Sequence, residues 1–159
     1  MRLLVISDTH GNYPLAVKVL EDAGPVDLII HLGDVIEDAR MVEAITGRPL
    51  VKIPGNCDLE VEDARAVSLS CEGTKLFITH GDRYLVKTGL AQLRKKAAAE
   101  QARIVLYGHT HSAAIDEIDG ILFVNPGALS VKCPTPSYAT ITISGGDVAA
   151  EIKPVNGDQ

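Results

Sequence analysis

Leu3-Leu4-Val5-Ile6-Ser7-Asp8-Thr9-His10-Gly11-Asn12, the amphipathic segment Pro14 to Ala23, and then Asp27-Leu28-Ile29-Ile30-His31-Leu32-Gly33-Asp34 together set the fold class of this chain. A short aliphatic run that ends in polar residues beside a glycine, a helix-period segment and a second aliphatic run form the pattern of a βαβ unit with parallel strands. The helix carries its own boundaries, with Asn12 as a cap, Pro14 in the first turn and Gly24-Pro25 as the stop. Glu37 to Thr46 and Leu50 to Pro54 repeat the unit once more. The expected class is α/β.

Beyond Asp58 the pattern changes. Arg65 to Ser70 and Lys75 to Thr79 read as adjacent strands across a turn at Glu72-Gly73, and Leu90 to Gln101 is the last helix-period segment. Strands follow at Ile104 to Tyr107, Ala113 to Ile118, Ile121 to Val124, Ser137 to Ile143 and Val148 to Lys153, with hairpin turns at Asp119-Gly120 and Gly145-Gly146-Asp147. Three or four helices and about ten strands are too many for one sheet in a chain this short, so two face-to-face sheets with helices outside are expected. The whole of 1–159 reads as a single domain, with 156–159 as a frayed tail.

Composition bounds the function classes. Of 159 residues 46% are hydrophobic and only 4% aromatic, with no Trp, so the core is aliphatic and stacking platforms for single-stranded nucleic acid are not expected. A net charge of −6 argues against an extended nucleic-acid surface. The N-terminal apolar run is about half a signal-peptide core, and no stretch approaches the roughly 18 residues of a membrane span. A soluble cytoplasmic protein is expected, with no membrane partner; a homo-oligomer is compatible with the composition. Cys57, Cys71 and Cys133 lack C-x-x-C spacing, which points away from disulfides and cysteine zinc sites.

The histidines carry the chemistry. His10, His80, His109 and His111 all lie at glycine-flanked ends of apolar runs, together with Asp8, Asp34 and Asn56. His31, inside the run Leu28 to Leu32, reads as structural. In open α/β sheets ligands gather at the carboxyl ends of the strands, so parallel neighbours would bring these loops to one rim. Imidazole and carboxylate donors without thiolate suit Mn²⁺, Ni²⁺, Fe²⁺ or Zn²⁺. Seven donors exceed the needs of one ion, and a bridging carboxylate would hold two ions about 3.5–4 Å apart. Two divalent ions against two carboxylates leave a local positive charge, enough to hold an anion in an acidic protein.

Asp8-x-His10, Gly33-Asp34, Gly55-Asn56-x-Asp58, His80-Gly81 and Gly108-His109-x-His111, in this order, resemble the calcineurin-like metallophosphoesterase superfamily. Gly55-Asn56-Cys57-Asp58, Asn125-Pro126-Gly127 and the short length resemble its small prokaryotic phosphodiesterase branch, the YfcE-like proteins. The resemblance implies a four-layer αββα sandwich of two mixed β-sheets and two divalent metal ions per chain, with Mn²⁺ or Ni²⁺ ahead of Fe²⁺ or Zn²⁺. It implies phosphoester hydrolysis by a metal-bridging hydroxide. By position, Asp8, His10, Asp34 and His111 would hold one ion and Asp34, Asn56, His80 and His109 the other, with Asp34 as the bridge.

Departures from the family pattern matter too. The wider superfamily commonly has a His at the place of Cys57, contacting phosphate and protonating the leaving group, and a thiol is a poor substitute. A second His often follows the His-Gly motif, where this chain has Asp82. Asp58 either orients a ligand or is a solvated turn carboxylate; Asn12 and Asn125 either face substrate or brace turns. The expected activity is phosphodiester hydrolysis of a small substrate, with a phosphomonoesterase as one alternative. A non-catalytic scaffold like the metallophosphoesterase-like subunit of the retromer coat is the other.

Overall fold

The computed structural model describes residues 1–155; the tail expected at 156–159 lies outside them. Along the described residues run β1 (Arg2–Ile6), α1 (Tyr13–Asp22), β2 (Leu28–His31), α2 (Ile36–Thr46), β3 (Leu50–Lys52), β4 (Ala66–Cys71) and β5 (Thr74–Thr79). There follow α3 (Ala91–Ala99), β6 (Ile104–Leu106), β7 (Ala114–Ile118), β8 (Ile121–Asn125), β9 (Ser137–Ser144) and β10 (Asp147–Pro154), with a 3₁₀ turn at Asp82–Tyr84. The strands form two five-stranded sheets, ordered β10-β9-β1-β2-β3 and β4-β5-β6-β8-β7. Each is mixed: β1, β2 and β3 are parallel in one, β5, β6 and β8 in the other, and antiparallel strands complete both.

The central strands are buried on both faces, which is why they read as unbroken apolar runs. Leu3, Val5, Ile30 and Leu32 face Leu76, Ile78, Ile104 and Leu106 in the core between the sheets. The opposite faces, Leu4, Ile6 and Ile29, pack under Ala16, Val19, Leu20, Ala39 and Val42 of α1 and α2. On the far side Phe77, Val105 and Phe123 receive Leu93 and Ala97 of α3. The result is a four-layer αββα sandwich. Edge strand β7 instead exposes its central residues, as expected of a half-solvated strand.

Asn12 occupies the N-cap position of α1 but makes no capping hydrogen bond with its side chain. Its amide instead donates to the Leu129 carbonyl at 2.7 Å, tying the β1 exit to the loop after β8. Of the alternatives for Asn12, this side chain therefore braces rather than caps.

Candidate metal centre

Parallel strands put the exits of β1, β2, β3, β5 and β6 close together, and glycine lets them touch. A Cβ on Gly33 would lie 2.6 Å from the Gly55 nitrogen, and one on Gly55 would lie 2.0 Å from Asp34 Oδ1. Backbone thus meets backbone, bringing Asp34 and Asn56 together. Asp8, His10, Asp34, His109 and His111 all have positive φ, between 45° and 69°, which non-glycine residues adopt at a cost and mainly at functional sites.

Around Asp34 two donor groups form. On one side the Nε2 of His10 lies 3.3 Å from that of His111, and Asp8 Oδ1 lies 3.2 Å from His111 Nε2 and 4.0 Å from His10 Nε2. On the other, His80 Nε2 lies 3.0 Å from Asn56 Oδ1 and 3.2 Å from His109 Nδ1. Asp34 Oδ2 stands between them, 3.8 Å from His10 Nε2 and 3.4 Å from His80 Nε2. All seven side chains singled out in the sequence therefore converge.

Buried Asp8 Oδ1 has no hydrogen-bond partner, and it points at the pair of histidines where a cation would satisfy it. His80 Nδ1 donates to the Leu32 carbonyl at 2.8 Å, which fixes the ring so that Nε2 is directed at Asp34, Asn56 and His109. Nitrogen and oxygen donors so placed fit divalent cations on both sides of Asp34. Charge agrees with this. Burial works to raise the Asp8 carboxyl, but the nearby His111 ring, the His80 charge and the Ser7 hydroxyl outweigh it and hold it below the usual range. Burial opposes ionisation of Asp34 too, yet its hydrogen bonds with His80 and from the Cys57 amide hold it well below that range.

A model of the calcineurin-like phosphoesterase superfamily domain matches residues 1–146. The chain belongs to this superfamily. The phosphodiesterase YfcE of Escherichia coli K12 is 30% identical to this calcineurin-like phosphoesterase over 156 residues, covering 82% of this chain and 80% of YfcE. A solved structure of a conserved uncharacterised protein from Streptococcus pneumoniae TIGR4, a predicted phosphoesterase, superposes with TM-score 0.76 at 28% identity, covering 95% of this chain and 87% of that one. Zinc-complexed Vps29 from Entamoeba histolytica reaches TM-score 0.77 at 20% identity, covering 98% of this chain and all of that one at 100%, a likeness of fold.

Hydrogen bonds decide between the alternatives left open for three weaker site residues. Asn125 is fully buried; its amide donates to the Gly108 carbonyl and Thr110 Oγ1, and its Oδ1 accepts from Gly127 N–H. It braces the loop carrying His109 and His111. Asp58 is buried, not a solvated turn carboxylate: it accepts from Ile36 N–H and Gly55 N–H at 2.8 Å each, and so orients the Asp34 and Asn56 loops toward each other. Asn12, spent on Leu129, likewise braces. Cys57 lies beside the centre, its thiol within 4.8 Å of donor atoms of His10 and Asp34. Burial and the Asp34 charge push this thiol up, so it stays protonated at neutral pH.

Sequence reading missed three supports. Asp38 of α2 accepts from Gly11 N–H at 2.7 Å, Ser7 donates to Asp8, and Arg65 clamps the carbonyls of Gly55 and Asp58. Asp38 and Arg65 have no local signal, because each acts on a loop that folding brings to it. His31, structural as expected, does more than fill the core: its Nδ1 accepts from Gly33 N–H, and its Nε2–H donates to Thr9 Oγ1 at 3.0 Å. One neutral imidazole so links the Asp8 and Asp34 loops.

Burial pushes His31 down to about 4 from 6.5. The folded state therefore refuses a proton that the unfolded chain accepts, so its stabilising effect is complete above pH 6.5 and is lost as pH falls toward 4. Relative to His31→Gln, the metal-free protein is expected to lose about 2 kcal/mol between pH 7 and pH 5 in denaturant unfolding. A wild-type-to-variant difference that stays constant across that range contradicts this.

Proposed function

We propose that this chain is a phosphodiesterase that depends on two divalent metal ions, with Mn²⁺ or Ni²⁺ preferred over Fe²⁺ or Zn²⁺. The observation that carries the reading is the set of seven donors divided about Asp34, with Asp8 Oδ1 buried and unpartnered among them. Asp8, His10, Asp34 and His111 would hold one ion, and Asp34, Asn56, His80 and His109 the other. When bound, such ions neutralise phosphoryl charge and make a water acidic enough to act as nucleophile at neutral pH.

The chain's own residues orient this chemistry. The Leu32 carbonyl holds His80 through Nδ1 so that Nε2 faces the centre, and the Cys57 amide fixes Asp34 Oδ1 so that Oδ2 faces both donor groups. The Cys57 thiol, raised above its ordinary value, is a weak proton donor, so esters whose leaving group departs without protonation suit the site. A cleft of about 370 Å³ opens beside His10 and His111, giving a diester room for its second substituent. The relative named a phosphodiesterase supports the same preference over a monoester. With a net charge of −6 the partner is a small phosphoester rather than a nucleic-acid polymer. Among the described residues no helix is long and apolar enough to cross a membrane.

After chelation the protein is expected to release no p-nitrophenol from bis(p-nitrophenyl) phosphate, and to regain turnover with Mn²⁺ or Ni²⁺. A higher rate on p-nitrophenyl phosphate than on the diester would assign it to monoesters. The scaffold reading has the likeness of fold to Vps29 in its favour. A stoichiometric partner on purification, with no hydrolysis under any metal, would establish it.

A further inference from the structure

We propose that the cleft beside the candidate metal centre is a subsite for one ester substituent, and that the substituent it takes has an apolar body ending in a second anionic group. This rests on the phosphodiesterase reading. The cleft is lined by His10, His111, Ser130, Val131 and Lys132. Two of these are candidate metal ligands, so a phosphoryl group held at the centre lies at the cleft's inner end. The opposite wall belongs to the loop between β8 and β9.

That wall is held in shape before any ligand arrives. Ser137 Oγ donates to the Pro126 carbonyl, Leu129 N–H to the Ser7 carbonyl, Cys133 N–H to the Ser130 carbonyl and Lys132 N–H to Ser130 Oγ. A Cβ at Gly127, whose φ is +81°, would lie 2.2 Å from Ser137 Oγ, so the turn that aims the loop needs glycine. On this fixed loop Val131 is 78% exposed, an aliphatic side chain turned to solvent beside a polar site. An ordered apolar surface next to a phosphate-binding centre is suited to the carbon body of an ester.

Lys132 supplies the charge. It is exposed and has no ion pair among the described residues. In a chain of net charge −6, a lysine on the wall of this cleft is a local exception. It favours a substituent that brings an anion of its own, and it adds electrostatic steering. A basic track for a polymer backbone would need several cations in a row.

The test uses the full chain reconstituted with Mn²⁺. Three mixed diesters of p-nitrophenol are compared, carrying 4-carboxyphenyl, 4-phosphonophenyl and the uncharged 4-(methoxycarbonyl)phenyl group. Wild type is expected to favour the anionic substituents in kcat/KM by about fivefold over the methyl ester, and Lys132→Glu to abolish or reverse that ratio. The carboxylate and phosphonate arms show which anion is preferred. Val131→Ser is expected to raise KM for all three about threefold, leaving the ratio in place.

Calorimetric titration of the metal-loaded protein with 4-carboxyphenyl phosphate and 4-(methoxycarbonyl)phenyl phosphate reads the same preference without turnover. Turnover with no preference, or a preference that Lys132→Glu leaves intact, overturns the subsite. Binding preference without turnover of any diester overturns the phosphodiesterase reading and leaves the subsite standing. Neither turnover nor preference overturns both.

Discussion

Asp34→Asn is expected to lower metal-dependent hydrolysis of bis(p-nitrophenyl) phosphate by at least about 100-fold, since substitutions one step removed from a metal already cost up to about that much. The replacement has the same shape, so the Cys57 N–H still finds an oxygen acceptor at the Oδ1 position. What disappears is the negative charge, together with one carboxylate oxygen. Oδ2 is the atom closest to both donor groups, at 3.8 Å from His10 Nε2 and 3.4 Å from His80 Nε2, so both lose their shared ligand at once. Metal content measured on the same preparation is expected to fall with activity, while circular dichroism stays unchanged. Retention of more than a tenth of the activity would remove Asp34 from the centre of the mechanism.

Gly55→Ala is expected to destabilise the metal-free protein by about 3 kcal/mol in denaturant unfolding, the upper range for overpacking a rigid site. The added methyl would lie 2.0 Å from Asp34 Oδ1 and 2.6 Å from the Asp34 nitrogen. Neither neighbour can yield freely. Asp34 Oδ1 is held by the Cys57 amide, and Gly55 is pinned through its N–H by Asp58 and through its carbonyl by Arg65. Relief requires the β2 and β3 exits to part, which draws Asn56 away from Asp34, so metal uptake is expected to fail as well. A change below about 1 kcal/mol with normal metal content would mean that the two loops have slack the structure does not display.

These two substitutions probe different kinds of information. Asp34 stood out in the sequence because a carboxylate after an aliphatic run and a glycine is a recognisable strand exit. The exclusion of a methyl at Gly55 did not, since it depends on the approach of a loop 21 residues away, as the numbering shows. Asn125 and Asp58 show the same limit. Each is a polar residue near a ligand motif; residue type alone left open whether Asn125 meets substrate or braces a turn, and whether Asp58 orients a ligand or is a solvated turn carboxylate. Burial and hydrogen-bond partners decide for bracing in both. His31 was legible as structural because it interrupts an apolar run, yet its link between Thr9 and Gly33 required β1 and β2 to lie side by side.

The α/β class, the order of the elements and the choice of seven candidate donors were legible in the amino-acid sequence alone. Runs buried on both faces must be apolar throughout, helices must repeat at their own period, and exits that bind cations must end in imidazole or carboxylate. Tertiary structure decided how those donors divide into two groups about Asp34, which asparagines and carboxylates hold the loops, and where a cleft opens beside them. The physical reason is separation along the chain. His10 and His111 meet at 3.3 Å although they are 101 positions apart in the chain, and no local pattern encodes a distance set by how two sheets pack.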